Sequence, residues 1–197
     1  MHGAEAIVTP CTFFNASCVA KRRLPKVYRN LVLDSKLRRE RTKLEARLLH
    51  RAKERGVSCP LVLNVDLEKC EIVESQLNGV KLVDFLKTKN VSAVLQKAGV
   101  QLALLHSAGI SHGDATTSNF MVCNDGDKVF LFDFGLSQGS ASLEDQAIDI
   151  LLFEKSVSPQ QFVKFLTGYR GERGEKQTTA LLRQVAEIKS RCRYVER

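Results

Sequence analysis

The first 80 residues alternate short apolar, β-branched runs with one long amphipathic segment. The short runs 3–9, 17–21, 61–66 and 71–77 predict four strands. The long segment predicts a helix that begins at Asp34 or Ser35, either of which can cap it, and that stops at Gly56. The apolar positions of this helix recur at three- and four-residue steps and are Leu37, Leu44, Leu48, Leu49 and Ala52. The pattern therefore predicts a small sheet that carries one helix.

After Asn78-Gly79 the pattern becomes mostly helical. Helices are predicted near 83–86, 94–106, 144–155, 159–167 and 178–191, with residues 168–174 as a flexible connection. In the middle, the apolar runs 120–123 and 129–134 flank a four-residue turn, which predicts a hairpin that presents loops at its ends. We therefore predict one α+β domain in two lobes, 1–78 and 79–197, of which the second is short.

The composition of the 197-residue chain is that of a folded globular protein. Its hydrophobic fraction is 44% and its charged fraction is 26%, which excludes a disordered or fibrous chain. No apolar run approaches the roughly 20 residues of a membrane span, and residues 1–5 lack the features of a signal peptide. We expect a soluble cytoplasmic protein, with nuclear entry left open. Six cysteines without metal-ligand spacing predict free thiols.

The net charge of +8 is unevenly distributed. Residues 21–55 contain 14 Lys/Arg against 4 Asp/Glu, while the rest of the chain is slightly acidic. Such a basic patch can attract partners that carry phosphate groups. It can equally be a solvated helix face on which Glu and Arg support each other at helical spacing.

The segment that indicates chemistry runs from His112-Gly113-Asp114 to Asn119 and is followed by Asp133-Phe134-Gly135. Phosphoryl transfer depends mainly on positioning and on neutralising the charge of the transferred group. Asp133 and Asn119 carry the oxygen ligands that Mg²⁺ prefers, and Asp114 can orient or accept the proton of an attacking hydroxyl. The spacing of these groups predicts a kinase-type site.

Several idiosyncratic segments, in this order, closely resemble the p53-related protein kinase (PRPK) family over nearly the whole chain. They are Gly3-Ala4-Glu5-Ala6, Tyr28-Arg29, Leu33-Asp34, Arg41-Thr42, Glu45-Ala46-Arg47, His112-Gly113-Asp114, Thr116-Thr117-Ser118-Asn119, Asp133-Phe134-Gly135-Leu136-Ser137, Glu144-Asp145 with Asp149, and Glu154-Lys155. The resemblance implies a minimal, bilobal protein-kinase-like fold with a truncated C-terminal lobe, which binds ATP with Mg²⁺.

The resemblance also implies roles for individual residues. Lys21 is similar to the lysine that contacts the α- and β-phosphates, and Glu45 is similar to its ion-pair partner. The segment Gly3-Ala4-Glu5-Ala6 replaces the glycine-rich loop over the phosphates, and Ser75 and Leu77 align with the hinge that pairs with adenine. Asp149 resembles the buried aspartate that braces the catalytic loop.

The family's place in the KEOPS complex implies partners and an activity. The implied activity is that of an atypical, non-specific serine/threonine protein kinase and ATPase that supports threonylcarbamoyladenosine formation in tRNA. The implied partners are an OSGEP-type threonylcarbamoyl transferase subunit and a PRPK-binding-protein-type subunit. The basic patch and the basic C-terminal tail, with Arg191, Arg193 and Arg197, are expected to contact tRNA.

Departures from common protein kinases keep two alternatives open. Gly113 stands where most carry Arg, Thr116 replaces a phosphate-binding lysine, and little chain remains for a peptide-docking platform. We therefore expect slow turnover. One alternative is a small-molecule phosphotransferase of the aminoglycoside or choline kinase type. The other is a catalytically silent scaffold, against which the complete set of charged site residues argues.

Overall fold

The computed structural model describes residues 6–87 and 91–195, with the side chains of Asp125 and of residues 192–195 left out. A four-stranded antiparallel sheet in the order β1-β2-β4-β3 occupies the N-terminal part. Its strands are β1 (Ala6–Phe13), β2 (Ala16–Arg23), β3 (Val62–Asp66) and β4 (Glu71–Ser75). Helix α1 (Leu31–Glu54) connects β2 to β3. The predicted small sheet with one long helix is confirmed.

The predicted start of α1 was wrong by about one turn. Asn30 caps the helix, because its side chain accepts hydrogen bonds from the amides of Val32 and Leu33 at 3.0 and 3.3 Å. Asp34 lies inside the first turn instead, where its carboxylate accepts a hydrogen bond from Arg38 Nε at 2.7 Å. An acid in the first turn suits the helix dipole, which explains why the sequence allowed both interpretations.

The remainder of the chain is mostly helical and encloses a three-stranded antiparallel sheet in the order β5-β7-β8. Its elements are β5 (Val80–Lys81), α2 (Leu82–Phe85), α3 (Ser92–Ser107), β6 (Ile110–Ser111), β7 (Phe120–Cys123), β8 (Lys128–Leu131), β9 (Gln138–Gly139), α4 (Leu143–Lys155), α5 (Pro159–Arg173) and α6 (Glu175–Val195). The hairpin β7-β8 is the one that the sequence predicts, and the loops at its ends carry the candidate residues. The predicted boundary at Asn78-Gly79 stays a prediction.

The predicted flexible connection at 168–174 was also wrong. Helix α5 continues through Gly168 and Gly171 to Arg173, and Gly174, with a φ of 89°, separates it from α6. Gly168 is there for packing, since a Cβ at this position would lie 1.9 Å from the carbonyl oxygen of Gln96 on α3. The glycine therefore allows two helices to approach closely and does not interrupt either of them.

One large apolar core joins the helices to the β5-β7-β8 sheet and to α1. The rings of Phe153 and Phe165 stack at 3.7 Å between centroids, and Phe120 meets Phe153 edge-on. Leu48, Leu49 and Ala52 extend this core onto α1. Helix α1, which belongs to the N-terminal part, thereby also packs against the helical part of the chain. Across residues 6–87 and 91–195, no helix has both the length and the apolarity to cross a bilayer.

Candidate active site

Lys21 stands at the centre of the charged groups that the fold brings together. Its ammonium lies 2.6 Å from Glu45 Oε1 on α1 and 2.5 Å from Asp133 Oδ1 in the loop after β8. Lys21 is largely buried, whereas the Asp133 side chain is half exposed to the cleft between the sheet and the helical part. Three residues from distant parts of the sequence therefore meet at one point, and these are the three that the sequence selected.

The ion pair between Lys21 and Asp133 favours the charged form of both residues. Burial by itself lowers the pKa of Lys21, but the carboxylates of Glu45 and Asp133 outweigh it and raise this pKa above its ordinary value. Burial likewise acts to raise the pKa of Asp133, yet Lys21, His112 and the amide of Gly135 hold that pKa below its usual range. A cation and an anion are thus available at neutral pH for an anionic ligand and a metal ion.

Sequence reasoning missed Arg23, which completes this cluster. Its guanidinium lies 2.5 Å from Glu45 Oε2, and its side chain is 5% exposed. Glu45 is therefore held from both sides, by Lys21 on one oxygen and by Arg23 on the other. The signal was present, since alternate strand residues point to the same face and Arg23 is two positions after Lys21.

Asp114 and Asn119 form the second part of the site. The Asn119 amide nitrogen donates to the backbone carbonyl and to the Oδ2 of Asp114, each at 2.8 Å. These two bonds orient both side chains across the turn 115–118. A further hydrogen bond connects the turn to the Asp133 loop. The amide of Phe132 donates to the carbonyl of Asn119 at 3.1 Å.

His112 holds the two loops in register and shows no sign of a proton-transfer role. Its Nε2 lies 3.1 Å from the Phe132 carbonyl, while its Nδ1 accepts from the Asp114 amide at 3.3 Å. The neutral tautomer with hydrogen on Nε2 satisfies both contacts. The His112 ring also packs edge-on against Phe134, with 5.3 Å between centroids. Phe134 is thereby fixed next to Asp133, which adopts a left-handed backbone with φ 64°.

Asp149 of α4 braces the loop that begins at His112 and Gly113, as the resemblance implies. Its carboxylate is fully buried and accepts from the amides of His112 and Gly113 at 2.6 and 2.8 Å. His106 Nε2 lies 3.1 Å from the same carboxylate, and His106 Nδ1 lies 2.7 Å from the hydroxyl of Tyr169. Burial lowers the pKa of His106, although Asp149 opposes the shift, so the ring works as a neutral link in the network.

Gly113 is required by this arrangement. Its φ is +79°, and a Cβ there would lie 2.4 Å from the carbonyl oxygen of Leu136. An arginine at this position, as in common protein kinases, would collide with the Leu136 backbone and strain the loop. The departure that the sequence shows at Gly113 therefore has a structural cause.

The donor set fits Mg²⁺. Asp133 offers a half-exposed carboxylate, and the Asn119 amide is oriented with its nitrogen on Asp114, which leaves Oδ1 as the atom for a cation. Mg²⁺ binds proteins through one or two oxygen ligands and completes its shell with waters and phosphates. The described part of the chain contains no cluster of three or more His, Cys, Asp or Glu that could hold a metal ion.

The predicted nucleotide-binding segments are placed only in part. Gly3, Ala4 and Glu5 lie outside the described residues, and Ala6 is the first residue of β1. The Ser75 amide donates to the Leu61 carbonyl, and its hydroxyl accepts from the Leu61 amide, both at 2.9 Å. The Ser75 carbonyl is therefore the backbone group of this residue that could accept a hydrogen bond from a nucleobase, because its amide already donates to Leu61. The hinge role of Ser75 and Leu77 stays a prediction.

Many cations of the basic patch have structural partners. Arg51 donates to the Ala108 carbonyl and Lys53 to the Cys59 carbonyl, while Asp34 binds Arg38. A small pocket is lined almost wholly by cations, namely Arg23, Lys26, Arg29, Arg38 and Arg41, together with Leu24. Some of these cations also have acidic partners, since Arg23 binds Glu45 and both Arg29 and Arg38 lie beside Asp34. In the tail, Arg191 lies 2.9 Å from Glu144, whereas the side chains of Arg193 and Arg197 lie outside the described residues. Both interpretations of the patch therefore stay open.

Glu74 is a further buried acid near the site. Burial, with a contribution from the charge of Glu45, raises the pKa of Glu74 to about 7. Because the folded-state pKa exceeds the unfolded value, the resulting stability is present below about pH 4.5 and is lost as the pH rises to about 7.

We therefore expect Glu74→Gln to become more stable relative to the unchanged chain as the pH rises from 5 to 8. The relative gain should be on the order of 2 to 3 kcal/mol, the free energy that corresponds to a shift of this size. Urea unfolding of both proteins at pH 5, 6, 7 and 8 measures it. Parallel stability curves for the two proteins would contradict the raised pKa.

A strand lysine paired with a helix glutamate, above an Asp–Asn loop and an Asp-Phe-Gly turn, defines a protein-kinase-like protein. Solved structures support this class. The chain is similar to WaaP in its complex with acyl carrier protein, with a TM-score of 0.63 over 95% of this chain and 87% of that one, at 15% identity. At that identity the similarity shows the fold alone, and the predicted kinase-like fold is confirmed.

Sequence comparisons identify the family. The model of the lipopolysaccharide kinase (Kdo/WaaP) family matches residues 15–169. KEOPS complex subunit Bud32 of Pyrococcus abyssi is 36% identical over 99% of this chain and 95% of its own length. The chain therefore belongs to the Bud32 family of kinase-like proteins, and the resemblance inferred from the sequence is confirmed.

Other relatives are longer. A probable bifunctional tRNA threonylcarbamoyladenosine biosynthesis protein of Methanobrevibacter smithii is 37% identical over 98% of this chain, which spans 36% of that protein. A similar protein of Halobacterium salinarum is 43% identical over 79% of this chain and 27% of its own length. The chain thus spans about a third of the length of these bifunctional relatives.

Proposed function

We propose that this chain binds ATP with Mg²⁺ and transfers or hydrolyses the γ-phosphoryl group, as the kinase subunit of a KEOPS-type complex. The observation that carries the proposal is the convergence of Lys21, Glu45 and Asp133 beside the Asp114–Asn119 pair. The names of the Bud32 and bifunctional relatives support the assignment to threonylcarbamoyladenosine formation in tRNA. On this proposal the protein acts as a subunit of that complex.

Each site residue then has one task. Lys21, held by Glu45, contacts the phosphates of ATP and arrives already oriented, which avoids an ordering cost during the reaction. Asp133 and Asn119 would hold Mg²⁺, which when bound would neutralise charge on the phosphates. The roles implied for Gly3, Ala4, Glu5 and Ala6 near the phosphates, and for Ser75 and Leu77 near adenine, come from the family resemblance and are part of the proposal.

Asp114 is the catalytic residue of the proposed reaction. Its carboxylate, fixed by Asn119, accepts the proton of the attacking hydroxyl as the oxygen forms its bond to the γ-phosphorus. The bond to the β-phosphate oxygen breaks, and ADP leaves. With water as the acceptor the product is inorganic phosphate. With a serine hydroxyl of the chain itself or of a close partner, the product is a phosphoserine.

The proposed partners follow from the same assignment. They are an OSGEP-type threonylcarbamoyl transferase subunit, a PRPK-binding-protein-type subunit and tRNA. The small cationic pocket of Arg23, Lys26, Arg29, Arg38 and Arg41 provides positive charge for tRNA phosphates, and the C-terminal tail is a second candidate. Such a complex would work in the cytoplasm, and nuclear entry stays open.

Phosphate release and serine phosphorylation, measured with and without the transferase subunit and tRNA, test the proposal. We expect release to rise when both are added and to fall about 100-fold in Asp133→Ala, which removes a metal ligand and a partner of Lys21. Rates that do not change when the transferase subunit and tRNA are added would contradict the proposed role in a KEOPS-type complex. Rates that do not change in Asp133→Ala would contradict the proposed active site.

The small-molecule phosphotransferase stays a second candidate for one specific reason. The matching family model is that of lipopolysaccharide kinases, whose named substrate is not a protein. Only residues 136–142 lie between the Asp-Phe-Gly turn and α4, too few for a peptide platform. Labelled ATP and a panel of small alcohols and sugars separate the candidates. Transfer to one of these acceptors at a rate above phosphate release would favour the second.

A further inference from the structure

Glu74 is a buried acid to which neither the proposed reaction nor the family resemblance gives a task. It lies on β4, one residue before the strand ends, and is 6% exposed. Within the described residues, no hydrogen bond or ion pair engages its carboxyl group. A largely buried carboxyl without a protein partner has only limited access to water, so a ligand that supplies a hydrogen-bond donor would bind favourably at this point.

The strand register shows which way Glu74 faces. Glu74 pairs with Val19 of β2, and two residues earlier Ile72 pairs with Lys21. Residues directly opposite on neighbouring strands point to the same face, and so do alternate residues of one strand. Glu74 and Lys21 therefore share the face that meets Glu45 of α1. The opposite face holds a separate small cluster of Cys18, Ala20 and Val73.

The charges around Glu74 agree with this placement. Its carboxyl is influenced by the charges of Glu45, Lys21 and Asp133, all of which belong to the candidate active site. The influence of Glu45 and Asp133 is unfavourable for an ionised Glu74, and that of Lys21 is favourable. The carboxyl therefore lies within electrostatic reach of the cleft, although it belongs to neither of the ion pairs of Lys21.

The position along the strand places Glu74 on the nucleobase side of Lys21. Two strand residues span about 7 Å, so Glu74 lies roughly that distance from the Lys21–Ile72 pair, in the direction of Ser75. Ser75 ends β4, and the chain then passes to the helical part. If the triphosphate lies at Lys21 and the base at the predicted hinge residue Ser75, as the proposed function has it, the nucleotide would pass Glu74.

We propose that Glu74 is a base-selecting residue, whose carboxyl accepts a hydrogen bond from the 6-amino group of a purine and rejects a 6-oxo group. An ionised carboxyl only accepts hydrogen bonds, and the oxygen of a 6-oxo purine is also an acceptor, so the two repel in a poorly hydrated pocket. The cleft would then take adenine nucleotides in preference to guanine or hypoxanthine nucleotides. This inference rests on the proposed function, because it assumes a nucleotide in this cleft.

Dissociation constants of ATP, GTP and ITP, measured with Mg²⁺ at pH 8, test the proposal. ITP isolates the 6-position because it lacks the 2-amino group of GTP. We expect the unchanged chain to bind ATP at least about 10-fold more tightly than either 6-oxo nucleotide, the discrimination typical of one unmatched buried polar group. In Glu74→Gln the preference should fall to about threefold or less, since an amide can accept from a 6-amino group or donate to a 6-oxo group.

Two further variants sharpen the test. Glu71→Gln makes the same change on the same strand but on the other face, and it should keep the preference of the unchanged chain. Glu74→Met fills the same space without a polar group and should also lose the preference, and thermal unfolding of each variant confirms that it is folded.

The outcomes separate the two proposals. Mg²⁺-dependent ATP binding with equal affinities for ATP and ITP in the unchanged chain would overturn base selection alone. A Glu74→Gln protein that keeps the full preference would do the same. Absence of binding to any nucleotide would overturn the proposed function and base selection together.

Discussion

Asp114→Asn is expected to lower phosphoryl transfer by about 10²- to 10⁴-fold, the contribution of a positioned acid–base group. Asparagine has the shape of aspartate, so its side-chain oxygen can still accept the hydrogen bond from the Asn119 amide that now measures 2.8 Å. The variant should therefore fold normally and bind ATP with nearly unchanged affinity, while it lacks the group that takes the proton. Single-turnover phosphate release, with calorimetry for ATP affinity, measures both quantities.

Asp84→Asn is a suitable control, because Asp84 is an exposed acid of α2 whose partner is Lys87. This change should leave turnover unaffected. An Asp114→Asn protein that turns over within twofold of the unchanged chain would remove Asp114 from the reaction and revive the silent-scaffold alternative.

Asp149→Asn should have the largest effect on stability among the single changes considered. Asp149 is fully buried and accepts hydrogen bonds from two backbone amides and from His106. An amide in its place must present an N–H group to at least one of these donors, which leaves buried polar groups unmatched. We expect a loss of about 3 kcal/mol or more in the free energy of unfolding, with reduced turnover because the loop of Asp114 loses its support.

Urea unfolding measures this loss, and Asp145→Asn on the same helix provides the comparison. Asp145 belongs to the capping box of α4 with Ser142, at the exposed end of the helix, so its replacement should cost about 1 kcal/mol. If both variants lost the same amount, the brace would contribute no more than an ordinary helix cap.

The residues to which the proposed function assigns chemistry could be selected from the sequence because their spacing is short and their types are restrictive. Asp114 and Asn119 belong to one turn, and Asp133 directly follows the β7-β8 hairpin. This short separation along the chain favours their lying close together in the fold. Lys21 and Glu45 are 24 positions apart, and their pairing was predicted from the family resemblance. The comparison with Bud32 confirms that resemblance. The order of the longer strands and of the helices followed from periodicity and turn residues, whereas the two-residue strands β5, β6 and β9 were not predicted.

Other features depend on contacts that a linear pattern does not encode. The start of α1 was misplaced because Asn30, Asp34 and Ser35 are all able to cap a helix, and only the folded chain shows which one binds free amides. Helix α5 was predicted too short because Gly168 is chosen for its close approach to α3. Glu74 looked like an ordinary strand residue until the register placed it on the face of Lys21.

The central claim is that Asp133 and Asn119 hold Mg²⁺ beneath the phosphates of ATP. Calorimetric titration of ATP, with Mg²⁺ and with EDTA, into the unchanged chain and into Asp133→Asn tests it most directly. The account predicts that Mg²⁺ strengthens ATP binding to the unchanged chain about 10-fold or more. In Asp133→Asn this dependence on Mg²⁺ should be lost. The metal-free affinity of the variant can even rise, because Lys21 is no longer paired with Asp133. An equal Mg²⁺ dependence in both proteins, or no heat of ATP binding in either, would contradict the account.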